Sequence, residues 1–365
     1  MKKPIQSDPA LVCDVAQRLM RQPAAPFFEA ATRAEALNFC AEHRLAAATD
    51  PAGNLFVGLN RAPRQRPLVL AAHLDHPGFA VERRLSPRRF VLAFNGGVPD
   101  EYFRRGVRVR LQPGGVPARL VRRLRGEGKR CEFVADAEPD ALPQFAVWDL
   151  EEFTLRAGQI HGRACDDLIG CAAVLATLRE LQRRRARVNV IGVLSRAEEV
   201  GFHGALTIAA DRRLPADALV ISLETSKELP AVQMGGGVIL RVGDKASVFD
   251  SAATRFLAEV AGELSTQRKD FACQRALMGG GTCEATAYQE FGYTSAAVCV
   301  ALGNYHNCGP ERQIAAEFVS VRDVTAMVDL LVAAAEAMPR FAKLTAKLPE
   351  RLQGLLKEAR KRLKA

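Results

Sequence analysis

Six residues able to bind a metal ion or move a proton stand at the ends of four apolar runs. Pro67 to Ala72 leads into His73 and Asp75, and Val188 to Leu194 leads into Glu198 and Glu199. Ala218 to Leu223 is followed by Glu224, and Ala296 to Leu302 runs into Gly-Asn-Tyr-His306. A further segment, Gly162 to Gly170, carries the adjacent carboxylates Asp166 and Asp167. Donors of this mixed imidazole and carboxylate kind suit zinc, with cobalt or manganese as alternatives, and without a CxxC pair they do not form a structural zinc site. Their number is enough for two cations, with His73, Glu199, Glu224 and His306 as terminal ligands and Asp166 bridging. Two such ions lower the pKa of a shared water toward neutrality. Asp75, two residues after His73, is placed to accept the second imidazole N–H and hold the ring. Successive side chains of an extended segment point to opposite sides, so one of Glu198 and Glu199 can bind metal while the other is free for proton transfer.

Separate segments deliver polar residues to one place when parallel strands end at the same rim of an open α/β sheet. The continuous apolar runs read as strands buried on both faces, and the segments between them read as helices, which implies βα units. Leu168, Cys171, Leu175, Leu178 and Leu181 recur at helical spacing, so Asp166 and Asp167 fall in the first turn of a helix with one buried stripe. The N-terminal 66 residues read as helical, apart from a hairpin over Leu45 to Gly58. Between Gly78 and Ile160 short β-like runs alternate with Gly-rich turns, which suits a small inserted barrel. The expected fold class is therefore α/β, with a mixed, mainly parallel sheet flanked by helices. Residues 1–78 and 162–365 form the catalytic domain, and 79–161 form the insert. Residues 341–365 form a basic amphipathic helix suited to docking or to an oligomer contact.

The net charge of +10 arises from arginine clusters at 104–110, 119–130 and 183–187 with few aromatics between them. That pattern describes a solvated basic surface, so nucleic acid is not an expected partner. No apolar run has the roughly 18 residues of a membrane span, and no membrane association is expected. Nine cysteines, an odd number, suit reduced thiols and a cytoplasmic protein. The run Gly279-Gly-Gly-Thr-Cys-Glu284 lacks the Lys-Ser/Thr ending of a phosphate-binding loop. His203 follows the glutamate pair closely enough for a substrate role, whereas His43 and His161 read as structural or exposed.

His73-Leu-Asp75, Asp166-Asp167 before a small-residue helix, Glu198-Glu199-Val-Gly and the late His306 together resemble the M42 family. These are dinuclear metallo-aminopeptidases of the glutamyl aminopeptidase and endoglucanase-M type, within the M28/M20-like clan of zinc exopeptidases. The resemblance implies His73, Asp166 and Glu224 on one metal, Asp166, Glu199 and His306 on the other, Glu198 as general base and Asp75 behind His73. It also implies that Gly280, Gly281 and Thr282 contact the substrate backbone, and that the insert mediates dimerisation within a homo-oligomer, at its largest a twelve-subunit shell. Glu224 stands where the family usually has Asp, and Asn-Cys-Gly-Pro-Glu follows His306 where Ser-Pro-Val-Glu is usual. The expected activity is removal of N-terminal residues from peptides. Two rivals stand beside it: a clan-related carboxypeptidase or N-acyl amino-acid deacylase, and a non-catalytic basic binding protein on a hydrolase scaffold.

Overall fold

The computed structural model describes residues 5–124 and 128–363. Its central sheet has eight strands in the order Ala46–Thr49, Leu55–Asn60, Asn189–Ser195, Leu68–His73, Leu219–Lys227, Thr294–Leu302, Val238–Gly243 and Cys273–Leu277. The four middle strands, from Asn189–Ser195 to Thr294–Leu302, run parallel. Antiparallel pairings with Leu55–Asn60 and Val238–Gly243 flank them. Every residue of Leu68–His73 is buried. Leu68, Leu70 and Ala72 pack into the core beneath the Pro9–Met20, Cys165–Arg183 and Val321–Ala337 helices. Val69 and Ala71 face the opposite layer, under His203–Ala210 and Glu284–Glu290. Burial on both faces is why this strand carries no polar alternation.

Two strands of the sheet, Val238–Gly243 and Cys273–Leu277, lie in a segment whose pattern announces no strand. The Cys165–Arg183 helix is also buried nearly all round. It is pressed between the sheet and two neighbouring helices, so the expected single stripe becomes a full cylinder of Ala, Val, Leu and Thr. Its regular turns begin after Asp167, because Asp166 (ψ 110°) and Asp167 (φ −115°, ψ 36°) are not helical. Asp167 accepts the Gly170 N–H at 3.1 Å and so acts as the cap, one residue past the candidate metal ligand Asp166.

A six-stranded barrel closes in the order Gly78–Ser86, Arg89–Asn95, Lys129–Ala135, Val116–Arg123, Arg108–Gln112 and Phe145–Trp148. Its interior holds Phe79, Phe90, Phe94, Phe103, Phe133 and Trp148. The following hairpin, Thr154–Arg156 with Gln159–Gly162, pairs with Glu317–Ser320 in a separate three-stranded sheet rather than with the barrel. That pairing brings Glu317 beside the start of the Asp166 segment. At the C terminus the Phe341–Arg362 helix buries Leu344 but leaves Leu352 and Leu355 half exposed. Among the described residues, no helix is long and apolar enough to cross a membrane. All nine cysteines are free thiols.

At Gly192 the sheet packs closely against the Asp166-bearing helix. A Cβ there would lie 2.7 Å from Val174 Cγ1 and 2.9 Å from Leu178 Cδ1. Gly192→Val should therefore lower stability by about 1–3 kcal/mol in chemical denaturation, through overpacking. Gly262→Ala, in a helix and meeting nothing within 4 Å, should leave stability unchanged or raise it.

Candidate metal centre

His73 is the last residue of its strand, and Ser195 is the last of the parallel neighbour. Beyond Ser195 the chain turns, and three side chains collect the exposed N–H groups of consecutive residues. Asn54 Oδ1 accepts from Arg196 N–H at 3.1 Å, and Glu29 accepts from Ala197 N–H at 3.1 Å and from the Arg196 guanidinium at 2.7 Å. Asp75 completes the series, with Oδ1 accepting from Glu198 N–H at 3.0 Å and Oδ2 from Glu199 N–H at 3.1 Å. Since Ala197 is already left-handed (φ 51°), the alternation of an extended strand does not apply to the glutamates. Glu198 and Glu199 both line one cavity instead of facing apart.

With its carboxylate occupied in this way, Asp75 orients His73 chiefly through its backbone. His73 Nδ1 is 3.1 Å from the Asp75 carbonyl and 3.5 Å from Asp75 Oδ1. His306 is oriented similarly, its Nδ1 being 3.0 Å from the carbonyl of Gly97 in the barrel insert. A ring that donates from Nδ1 to a carbonyl presents the Nε2 lone pair to a metal. Both Nε2 atoms face Asp166: His73 Nε2 is 3.5 Å from Oδ1, and His306 Nε2 is 3.5 Å from Oδ2. Glu199 Oε1 lies 3.4 Å from His306 Nε2, and Glu198 Oε2 lies 3.9 Å from His73 Nε2. One donor atom each from His73, Asp166 and Glu199 lies within 4.8 Å of the others.

Asp166 is held from behind by Glu317, whose Oε2 accepts the N–H groups of Cys165 at 2.8 Å and Asp166 at 3.0 Å. The His306 loop needs more support, because Asn304, His306 and Asn307 all have φ between 53° and 60°. Asn307 supplies it by donating to the carbonyls of Arg163 at 2.9 Å and Ala315 at 3.1 Å. His76 lies between the two halves of the site, with Nδ1 2.6 Å from the Asp166 carbonyl and Nε2 2.8 Å from Asn307 Oδ1.

Asp166 Oδ1, Glu199 Oε1 and Glu224 Oε1 are buried and find no hydrogen-bond donor among the described residues. Buried carboxylate oxygens left in that state are strongly unfavourable, and divalent cations are the partners that this donor set fits. Burial raises Glu199 to about 7 and Glu224 to about 8, and raises Glu198 well above the usual carboxylate range. Burial works against charge on His306, yet Glu199 and Asp166 outweigh it and bring that imidazole to about 10.

The cavity encloses about 320 Å³ and is lined by His73, Asp166, Glu198, Glu199, Glu224 and His306. Gly280, Gly281 and Thr282 form part of its wall. His203 does not: its ring packs edge-on against Phe27 with centroids 5.5 Å apart. Arg241, Lys227, Tyr305 and Gly97 also line the cavity and were not singled out from the sequence. Only the Gly96-Gly97 turn left a local trace, and as a turn alone.

The fold and the donor set together define a metal-dependent peptidase. The model of the family described as M42 glutamyl aminopeptidase matches residues 141–330, and the chain belongs to that family. It is a peptide hydrolase of the aminopeptidase type. Among solved structures, the TET1 peptidase of Pyrococcus horikoshii is 20% identical with a TM-score of 0.73, over 89% of this chain and 99% of that one. A TET aminopeptidase from a marine-sediment archaeon of the Thaumarchaeota is 19% identical with a TM-score of 0.74, over 90% and 98%. The aminopeptidase APDkam598 of Desulfurococcus kamchatkensis is 19% identical with a TM-score of 0.73, over 90% and 95%. No curated protein sequence matches significantly.

A cation held by Glu199, Glu224 and His306 would displace protons from them, since values of about 8 and 10 keep Glu224 and His306 protonated in the cation-free site at neutral pH and a value of about 7 leaves Glu199 half protonated. Protons compete more strongly as pH falls, so apparent zinc affinity should drop between pH 8 and pH 6. The drop should be about tenfold per pH unit for each proton released. Equilibrium dialysis against zinc across that range reads the slope, and a flat profile would contradict the assignment.

Proposed function

We propose that this protein is a dinuclear metallo-aminopeptidase in which His73, Asp166 and Glu224 hold one cation and Asp166, Glu199 and His306 hold the other. The observation carrying this reading is Asp166, whose two carboxylate oxygens each lie 3.5 Å from a different histidine Nε2. Zinc suits the donors best, with cobalt and manganese as alternatives. When bound, two such cations polarise the scissile carbonyl and activate a water. Glu198 sits on the His73 side of the cavity with a raised proton affinity. It takes the proton of the attacking water and returns it to the leaving amine. Asp75 keeps Glu198 in place through the backbone. The Gly280 to Thr282 wall, thin in side chains, leaves room for the main chain of the substrate.

So many carboxylates in one cavity favour a substrate that brings a cationic amine, which separates a free N terminus from an acylated one. Arg241, one of the cavity-lining residues, is proposed to face the first side chain of the substrate. It is 4% exposed, its Nε has no partner among the described residues, and its Nη1 is 3.5 Å from Ser226 Oγ. With Lys227 on the same wall, this supports an acidic N-terminal residue, in keeping with the description of the family as glutamyl aminopeptidases. The TET1 peptidase of Pyrococcus horikoshii assembles into a tetrahedron or an octahedral shell. By analogy this chain is proposed to act as a homo-oligomer on peptides, and its nine free thiols suit the reducing cytoplasm.

The purified protein should cleave aminoacyl p-nitroanilides with a free amine and leave their N-acetyl derivatives intact. A chelator should abolish turnover. Glu198→Gln should lower kcat by about 10²–10⁴-fold while two metals per chain remain bound. Equal cleavage of acetylated substrates would sink the aminopeptidase reading.

The acidic preference has its own test. Arg241→Met should lower kcat/KM on glutamate p-nitroanilide by about tenfold or more, the scale of a lost charge-assisted contact, and change leucine p-nitroanilide little. A uniform loss on both substrates would assign Arg241 to structure.

A further inference from the structure

Tyr305 precedes His306 and belongs to none of the ligand or base assignments above. Its ring stacks on the His306 imidazole with centroids 3.8 Å apart and planes 20° apart, which fixes the direction of the phenol. The hydroxyl lies 4.0 Å from the position of a Cβ on Gly281, so the side chain spans the cavity from the metal ligands to the glycine loop. The residue is half-buried, and its hydroxyl makes no hydrogen bond among the described residues. Asp166, Glu198, Glu199 and Glu224 all stand near enough to act on it electrostatically. Those four residues are acceptors, whereas Tyr305 brings a donor to the same end of the cavity.

We infer that Tyr305 is a catalytic residue, whose hydroxyl donates a hydrogen bond to the carbonyl oxygen of the scissile peptide as negative charge develops there. The inference rests on the aminopeptidase reading and extends it. As the water oxygen bonds to the carbonyl carbon, the π pair of the C=O bond moves onto oxygen and Glu198 accepts the water proton. Tyr305 keeps its own proton throughout and shares it with that oxygen. The pair then returns to re-form C=O, the C–N bond breaks, and Glu198 protonates the departing amine. A donor aimed at developing rather than resting charge lowers the barrier more than it tightens substrate binding.

Tyr305→Phe separates this role from a packing role, because the phenyl ring still stacks on His306. In the metal-loaded enzyme it should lower kcat on the preferred p-nitroanilide by about 10²–10³-fold, the loss seen for a single oxyanion donor. KM should stay within about twofold and the metal content should remain that of the parent. Inhibition by a phosphonic-acid analogue of the substrate amino acid should weaken in parallel with kcat, while inhibition by the free amino acid product should not. Tyr305→Ala should in addition release metal from the His306 side. Unchanged kcat in Tyr305→Phe, or a loss of kcat that tracks a loss of metal, would overturn the catalytic role alone. Lack of any free-amine cleavage by the unsubstituted protein would overturn this inference together with the reading beneath it.

Discussion

Asp166, Glu198, Glu199 and Glu224 share one buried cavity with two imidazoles, and mutual repulsion among those carboxylates is the constraint that the surrounding structure answers. Two like charges 4 Å apart repel by about 4 kcal/mol at the effective dielectric of a protein near its surface. Protons relieve that repulsion partly, as the raised values of Glu199 and Glu224 indicate. Divalent cations relieve it more completely. Attraction to His73 and His306 offsets part of the repulsion, and the backbone holds several of these segments in place as well.

The chain does this by spending other buried carboxylates on peptide N–H groups. Glu29, Asp75 and Glu317 each accept from the main chain of a ligand-bearing segment, and Asp167 caps the helix that follows Asp166. Charge-assisted bonds to N–H groups are among the stronger polar contacts available. The His306 loop uses a neutral version of the same device, in which Asn307 and His76 tie three left-handed residues to the Asp166 segment. Non-glycine residues in that conformation are held by their surroundings rather than by preference. The geometry of the proposed metal ligands therefore depends on residues that do not line the cavity.

Much of this could be read from the sequence, and the reason is local. Apolar runs that end in His73, Glu224 and the approach to His306 carry the signature of buried parallel strands, and a parallel sheet collects its strand ends at one rim. The barrel was visible from its short runs and glycine turns. What stayed hidden depends on contacts between distant segments. Arg241 sits in a strand, Val238–Gly243, that looks like part of a helical stretch until its pairing with Thr294–Leu302 is known. The opposed directions expected of Glu198 and Glu199 fail because Asp75, more than a hundred residues earlier, bends the chain after Ser195. Asn307 and Glu317 gave no sign of their supporting role, since a strut has no period and no motif.

The carbonyl of Gly97 lies just outside the last residue of a barrel strand, yet it fixes the tautomer of His306. The insert therefore reaches into the chemistry of the body that carries it, through one main-chain atom. A Cβ at Gly97 would come within 3.2 Å of the imidazole, so that bend also tolerates no side chain without shifting the ring. Transplanting the barrel between homologues would consequently require carrying the Asn95 to Val98 bend along as part of the recipient's catalytic apparatus, and excising the insert would leave one histidine without its steering contact.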